Sequence, residues 1–181
     1  MQSWDDAYNR LLCNDRGMPT SVSEALRQAE LDSLQLDGFA ETAFDDLTRM
    51  AAETFDVPMS AITIVDGDRQ WFKSRVGIEP SEMPRELAFC AQAIKTPDEL
   101  TVVEDTTLDE RFAGSPLVTG EPGLRFYAAA PLRLSSGHAI GTVCVLDTKP
   151  RKVDRNRMET LRFMADQVVA TLEARVERRK Q

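Results

Sequence analysis

The stretch RFYAAAPL, residues 125–132, decides how this chain folds. The aromatic pair near its start favours a strand, but Ala128, Ala129 and Ala130 stand where strands usually carry larger side chains. Each alanine in place of an isoleucine gives up about three carbons of burial, or roughly 2 to 3 kcal/mol. Because protein interiors are closely packed, we expect either a helix lying close against the sheet or a small molecule in a pocket to fill the space.

The segments around this stretch predict further strands. SAITIVDGDRQWFKSRVG, residues 60–77, has the alternation and the central Asp-Gly turn of a β-hairpin. Residues 100–104 predict a short strand, and residues 123–134 and 140–147 predict two longer strands joined by a turn at 135–138. The last two strands are expected to pair antiparallel.

Helical patterns alternate with these strands. Spacings of three and four predict a helix over residues 39–55, with one inward face formed by Phe39, Ala43, Leu47, Met50, Ala51 and Phe55. PRELAFCAQAIK, residues 84–95, predicts a short helix, and a long helix begins at about Asp154. This order of elements predicts an α+β fold in which helices cover a mainly antiparallel sheet.

Composition restricts the partners and the compartment. The chain of 181 residues has 30 acidic and 22 basic side chains, and its net charge of −8 disfavours nucleic acid and anionic membranes as partners. It has no apolar run long enough to span a bilayer and no signal-like start, which predicts a cytoplasmic protein. Cys13, Cys90 and Cys144 are odd in number and widely spaced, as expected of reduced thiols.

Several classes of catalytic site are disfavoured. His138 is the only histidine and lies in a predicted turn, so Ser/His/Asp and Cys/His arrangements and a histidine-bound haem lack support. Neither HExxH nor CxxC spacing occurs, and no Gly-rich phosphate loop is present. We therefore expect a protein that is not an enzyme and that holds no metal or haem.

The motifs themselves resemble the GAF domain family. The segments FDDLTRMAAETFDVP, DGDRQWFKSRVG, PRELAFCAQAI, DTTLDERFAGSPLVTGEPGLRFYAAAPLR and HAIGTVCVLD, together with the closing helix, follow the order and spacing of that family over about residues 24–175. The most similar members are bacterial sensory GAF domains found alone or ahead of histidine kinases and diguanylate cyclases. The resemblance leaves a helical appendage at residues 1–23 and a charged helix end at 176–181.

The resemblance implies a six-stranded antiparallel sheet with the first and last helices on one side and a small-molecule pocket on the other. By family position the pocket would be lined by Phe89, Cys90, Asp105, Arg111, Phe112, Arg125, Tyr127, Thr142 and Cys144. Arg111 and Arg125 would hold an anion through bidentate hydrogen bonds, or else pair structurally with Asp105, Asp109 and Glu121. The three aromatic side chains would stack on a planar ligand or form ordinary core.

The closing helix carries a coiled-coil-like apolar seam, which predicts a homodimer interface. The seam residues are Met158, Leu161, Ala165, Val168, Leu172 and Val176. The expected function is therefore a cytoplasmic sensory or regulatory dimer in signal transduction, whose unidentified small-molecule ligand acts on helix packing and through a separate kinase or cyclase. Within the chain Ala128 and Ala130 would share one sheet face, and Ala129 the other.

Three alternatives belong to the same fold. One is a degenerate GAF dimer that acts as a scaffold with its pocket filled by its own side chains. Another is a GAF-fold free methionine sulfoxide reductase, in which Cys90 and Cys144 would supply the attacking and resolving thiols. The third, a photoreceptor with a covalent bilin, is disfavoured because such domains typically attach the bilin at a Cys-His pair, which this chain lacks.

Overall fold

The computed structural model describes residues 22–181, so the predicted appendage up to residue 21 and Cys13 lie outside the described residues. Within these described residues two helices precede the first strand, and a long helix follows the last strand. One-turn helices at Arg85–Leu87 and Thr106–Leu108 connect some of the elements. In chain order these are α1 (Val22–Leu34), α2 (Thr42–Phe55), β1 (Met59–Asp66), β2 (Arg69–Val76), β3 (Glu82–Pro84), α3 (Phe89–Ala93), β4 (Thr101–Val103), α4 (Pro116–Thr119), β5 (Phe126–Arg133), β6 (Ala139–Asp147) and α5 (Arg155–Lys180).

The strands form one six-stranded sheet in the order β3-β2-β1-β6-β5-β4. Every neighbouring pair is antiparallel, and both predicted hairpins are present. β1 and β6 form the centre and approach closely at Gly141, where an added Cβ would lie 1.7 Å from the Thr63 carbonyl oxygen. The predicted α+β fold with a helix-covered antiparallel sheet is confirmed.

The alanine run divides between the two faces of the sheet. Ala128 and Ala130 lie with Phe126 in the core cluster under α1, α2 and α5, which includes Leu161 and Ala165 of α5. Ala129 lies on the opposite face with Tyr127. Small side chains on the first face let the long closing helix pack directly on β5, so a helix rather than a ligand fills the space left by Ala128 and Ala130.

The buried face of α2 differs from the predicted one. Phe44, Thr48, Ala51 and Phe55 face the core, whereas Met50 is half exposed; Phe39, which precedes the helix, and Ala43 are also exposed. The prediction considered only apolar residues and so missed Thr48. Burial of this polar side chain is tolerated because its hydroxyl donates to the Phe44 carbonyl 2.9 Å away. The helix itself was predicted correctly.

The apolar seam of α5 is not an outward-facing surface, and its assignment as a dimer interface is wrong. Met158, Leu161, Ala165, Val168 and Leu172 are buried against the chain's own sheet and helices, and Val176 is packed at the edge of the same cluster. An amphipathic helix that covers a sheet needs the same three-and-four spacing as a helix that pairs with a second helix, so the pattern could not separate the two. The outward face of α5 is mostly polar; its one large apolar side chain is Phe163, which is 61% exposed, and Ala170 and Ala174 are exposed as well.

Both ends of α5 are held by hydrogen bonds. The Asp154 carboxylate caps α5 by accepting from the Arg157 amide at 2.9 Å. At the other end Arg179 donates to the Leu34 carbonyl of α1 at 2.9 Å, so the predicted charged end of the chain continues α5 and contacts the domain. Within residues 22–181 no helix is long and apolar enough to cross a membrane.

The new position of the seam changes what substitutions on α5 should do. Leu172→Glu puts a carboxylate where the leucine is 2% exposed, and we expect the free energy of unfolding to fall by about 3 kcal/mol or more, because an unpaired charge is buried. Phe163→Glu on the same helix is the matched control and should change it by less than about 0.5 kcal/mol. Urea unfolding followed by circular dichroism measures both. A folded Leu172→Glu protein of wild-type stability would contradict the packing described here.

Candidate functional site

A cavity of about 230 Å³ lies on the sheet face opposite the long helices. Strands β1, β2, β5 and β6 form its floor, and residues 77–90 and 117–124 cover it. The lining residues are Met59, Thr63, Gln70, Phe72, Gly77, Ile78, Glu79, Met83, Phe89, Cys90, Leu117, Pro122, Leu124, Tyr127, Cys144 and Leu146.

The lining is mostly apolar and carries one charged side chain, Glu79, which is exposed at the rim. Among the buried polar side chains of the lining, Gln70 has an unsatisfied group: the residue is 3% exposed, and its side-chain oxygen Oε1 has no hydrogen-bond partner. A buried amide oxygen without a partner is unfavourable by about 1–3 kcal/mol. The cavity is therefore a mostly apolar volume, and one of its lining side chains holds a buried hydrogen-bond acceptor that no residue satisfies.

Three aromatic rings close one side of the cavity. Phe89 lies 4.5 Å from Phe112 and 5.4 Å from Tyr127, in a tilted and an edge-on arrangement, and Phe112 lies 5.9 Å from Tyr127. These distances are typical of favourable aromatic pairs. Phe89 and Tyr127 reach the cavity, whereas Phe112 is 1% exposed and supports them from behind.

A chain of buried polar groups runs beside the aromatic rings. The hydroxyls of Tyr127 and Thr142 each lie 3.1 Å from the Cys90 sulfur, and the Thr142 hydroxyl lies 3.0 Å from that of Thr63. The Thr142 amide donates to the Thr63 oxygen at 3.1 Å, and the Thr63 hydroxyl has both the hydroxyl and the carbonyl of Thr142 within reach as acceptors. Cys90 thus receives two hydroxyl donors.

These contacts separate the two thiols in acidity. Burial raises the pKa of Cys90, but hydrogen bonds with Cys144, Thr142, Thr63 and Tyr127 outweigh that effect and bring the pKa from 9.0 to about 7. The hydrogen bond with Cys90, followed by burial, raises the pKa of Cys144 well above its ordinary value. The pKa of Tyr127 is also raised, chiefly by burial, so its hydroxyl keeps its proton and remains a hydrogen-bond donor.

Of the residues predicted to line the pocket, four do so: Phe89, Cys90, Tyr127 and Cys144. Thr142 is fully buried behind the surface, where it contacts Cys90, and Phe112 supports the aromatic cluster.

The charged members of the predicted set lie outside the lining. Arg111 is half exposed and donates to Asp109 from Nε and Nη2 at 3.0 and 2.7 Å, Arg125 donates to the Val118 and Leu124 carbonyls at 2.9 Å, and Asp105 accepts from the Thr107 amide and hydroxyl. The alternative of structural pairing holds for Arg111, while Arg125 braces the covering loop through carbonyls.

The most informative lining residues that sequence reasoning missed are on β2. Gln70 and Phe72 share the cavity face, while Trp71 between them joins the helix-side core. The signal was the alternation in QWF, which places the first and third residues on one face, but the sequence does not show which face of the hairpin borders a cavity. The remaining lining residues come from irregular segments with no such periodicity.

On the other side of β2 an ion-pair network ties the sheet to the helices. The register shifts by one residue opposite Ile62 and Thr63. Lys73, whose side chain is 3% exposed, extends toward α2 and lies 2.8 Å from Glu41 and 2.9 Å from the carbonyls of Asp37 and Phe39. Glu41 also forms a bidentate pair with Arg175 of α5.

The network sets the acidity of Glu41. Its hydrogen bonds with Arg175, and then with Lys73, outweigh partial burial and lower the pKa of Glu41 from 4.5 to about 2. Phe72 lines the cavity, and the next residue of β2, Lys73, belongs to the charge network. The cavity and a network that reaches Arg175 of the long helix therefore meet at two adjacent residues of one strand.

Comparisons with known proteins agree with this architecture. Residues 40–172 match the model of the GAF domain. The chain is 40% identical over 134 residues to a cyclic di-GMP phosphodiesterase of Pseudomonas aeruginosa, and the match covers 74% of this chain but 23% of that protein. The chain therefore corresponds to less than a quarter of the relative's length.

Two solved structures illustrate the fold. The GAF domain of an Acinetobacter phosphoenolpyruvate-protein phosphotransferase matches with a TM-score of 0.62 at 17% identity, over 81% of this chain and 93% of that domain. A free methionine-R-sulfoxide reductase of Neisseria meningitidis, solved with its substrate, matches with a TM-score of 0.61 at 15% identity, over 92% and 96% of the two chains. At these identities the likeness shows the fold alone.

The network makes a prediction about acid stability. Since the pKa of Glu41 is lowered in the folded chain, its stabilising contribution is fully present above about pH 4.5 and is lost as the pH falls toward about 2. Glu41→Gln should lower the free energy of unfolding at pH 7 by about 1–2 kcal/mol, a value reduced for the partial exposure of the carboxylate. It should also weaken the pH dependence of that free energy between about pH 4.5 and 2.

Urea unfolding at several pH values provides the measurement, with the exposed Glu53 of α2 changed to Gln as the control. Glu24, whose pKa is also lowered to about 2 chiefly by its hydrogen bond with Arg27, keeps its own contribution in both variants. An unchanged pH dependence in Glu41→Gln would contradict the network.

Proposed function

This chain belongs to the GAF domain family, and from that premise we propose that it is a regulatory module that binds a small, uncharged, largely apolar ligand. The observation that carries the proposal is the apolar cavity with the unpaired Gln70 oxygen. A ligand with an apolar body and one N–H or O–H donor would fill the volume, and its donor would satisfy this acceptor once the Gln70 amide turns its buried oxygen toward the cavity.

The chemistry of the lining argues against highly charged ligands. A nucleotide or another phosphate-bearing molecule needs cations or a row of amide donors, and the described lining carries a single charge, the carboxylate of Glu79. The same argument disfavours free methionine sulfoxide as a substrate, because its ammonium and carboxylate would lose water without gaining matched partners. We therefore favour binding over catalysis.

The open volume also argues against the scaffold alternative. A scaffold domain has no use for a cavity, and filling it with larger side chains would stabilise the protein, since voids in a core are unfavourable. Retaining about 230 Å³ next to an unpaired amide is more readily explained by an occupant.

The network on the far side of β2 supplies a route from ligand to output. A ligand that moves Phe72 would displace Lys73, its neighbour in β2, and through Glu41 alter the hold on Arg175 of α5. Ligand binding controls such an equilibrium only through different affinities for the two helix arrangements. We propose that α5 relays the change to a catalytic partner of cyclic di-GMP signalling, which the 40% identical phosphodiesterase suggests.

The homodimer stays part of the proposal, but with a different surface. Since the apolar seam of α5 is buried within the chain, a dimer would use the outward faces of α5 and α2, where Phe163 and Met50 are exposed. A second copy bound there would contact the helices that the ion-pair network holds, so dimer geometry and cavity occupancy would be linked.

A binding experiment with simple probes tests the ligand class. Phenol, which joins an apolar ring to one O–H donor, should bind, benzene should bind about three- to tenfold more weakly because it cannot donate to Gln70, and benzoate should not bind detectably. Titration calorimetry of the full chain gives the three affinities. In Gln70→Leu the preference of phenol over benzene should disappear.

Cavity-filling variants show whether the probes bind at this site. Leu117→Trp enlarges a lining residue and should abolish phenol binding, whereas Leu108→Trp, at a side chain that is 84% exposed and outside the lining, is the matched control and should leave it unchanged. Circular dichroism checks that both variants are folded. Phenol binding that survives Leu117→Trp, or benzoate binding as tight as phenol, would overturn the proposal.

A further inference from the structure

Two thiols from different elements meet in the wall of the cavity. Cys90 is on α3 and Cys144 is on β6; they are 3% and 2% exposed, and both line the cavity. Cys144 is two residues along β6 from Thr142 and faces the same side of the sheet, and the Thr142 hydroxyl lies 3.1 Å from the Cys90 sulfur. Thiols in an apolar core are usually inert because burial disfavours the thiolate, so the surroundings of this pair decide whether it reacts.

The surroundings favour charge on one sulfur. Tyr127 and Thr142 donate to Cys90 from 3.1 Å each, and the Thr63 hydroxyl lies 3.0 Å behind that of Thr142. Two hydroxyls therefore point hydrogens at one sulfur, in an arrangement that lowers the pKa of Cys90. A core that needed only two small apolar side chains would not require these donors.

We propose that Cys90 and Cys144 form an oxidation site at which an uncharged hydroperoxide that enters the cavity converts the two thiols into a disulfide. The inference goes beyond the proposed binding function and shares its cavity, but it does not depend on a retained ligand. It describes a stoichiometric modification of the protein, not turnover.

The reaction balances in two steps. In the first, the Cys90 thiolate attacks one oxygen of the hydroperoxide, so that an S–O bond forms and the O–O bond breaks. The sulfur is oxidised to a sulfenic acid, and the peroxide is reduced to an alcohol, which takes up a proton. In the second, the Cys144 sulfur attacks the sulfenic sulfur, the S–S bond forms, the S–O bond breaks, and water leaves with the Cys144 proton.

The cavity suits this class of oxidant. Its apolar lining admits a neutral peroxide and disfavours charged oxidants, which would lose hydration without a counter-charge. The terminal O–H of a hydroperoxide is a donor that would satisfy Gln70 Oε1 after the same turn of the amide toward the cavity. The attacking and resolving thiols line the same wall of the cavity, and each is next to Thr142, by a hydrogen bond for Cys90 and by position on β6 for Cys144.

The test uses the full chain in a Cys13→Ser background, so that only the two cavity thiols remain. Treatment with tert-butyl hydroperoxide should remove two hydrogen atoms from the intact mass, and peptide mapping should locate a Cys90–Cys144 disulfide that dithiothreitol reverses. In Cys144→Ser the reaction should stop at a sulfenic acid on Cys90, trapped by dimedone. In Cys90→Ser the Cys144 thiol should react at least tenfold more slowly.

Two readouts separate an activated thiol from one that is merely accessible. The titratable side chains facing Cys90 are Cys144 and Tyr127, with Glu79 at the cavity rim, and Cys144 and Tyr127 keep their protons because their pKa values are raised. The oxidation rate should therefore rise with pH to a plateau above about pH 7, as the Cys90 thiolate forms. Tyr127→Phe, which removes one donor, should slow the reaction at pH 7 by about three- to tenfold.

Equal rates for Cys90 and Cys144, a rate that rises only near pH 9, or an unchanged rate in Tyr127→Phe would overturn the inference. The outcome is independent of the ligand experiment. Phenol binding with unreactive thiols would overturn the oxidation site alone, and oxidation without phenol binding would overturn the proposed ligand class alone.

Discussion

The alternation of side chains along β5 is the constraint on which the rest of the structure depends. Successive residues of a strand face opposite sides, so Ala128 and Ala130 give α5 a close approach on one face while Tyr127 forms part of the cavity wall on the other. Larger residues on the helix face would push α5 away and open the core that it closes. The pattern therefore assigns packing to one side of the sheet and leaves the other side free to bind.

The two faces remain in communication through β2. Phe72 contacts the cavity and Lys73 the charge network, and the register shift in this strand accompanies the change from one face to the other. On the helix side Glu41 and Arg175 connect the start of α2 to the last turns of α5. The cavity itself joins an apolar volume to a short chain of hydroxyls and thiols, so binding and thiol chemistry would act on the same strands.

Much of the fold could be predicted from the sequence, because strand alternation and the Asp-Gly turn are local signals. The inward face of α5 was recognised but its partner was not, since Leu161 and Leu172 have the same spacing whether they meet a sheet or a second helix.

For the site, Cys90 and Tyr127 followed from the family resemblance, whereas Arg111 turned outward to Asp109 and Gln70 was missed. Pairing between nearby charges and the closure of irregular loops depend on tertiary contacts that no local pattern records.

The central claim is that one face of the sheet is filled by helices and the other holds an apolar cavity that small molecules enter. Crystals of the full chain equilibrated with xenon gas measure this most directly, because xenon occupies apolar cavities without needing a specific ligand. The account predicts xenon between Phe72, Met83 and Leu146, and none between β5 and α5. Xenon between β5 and α5, or no xenon on the cavity face, would contradict it.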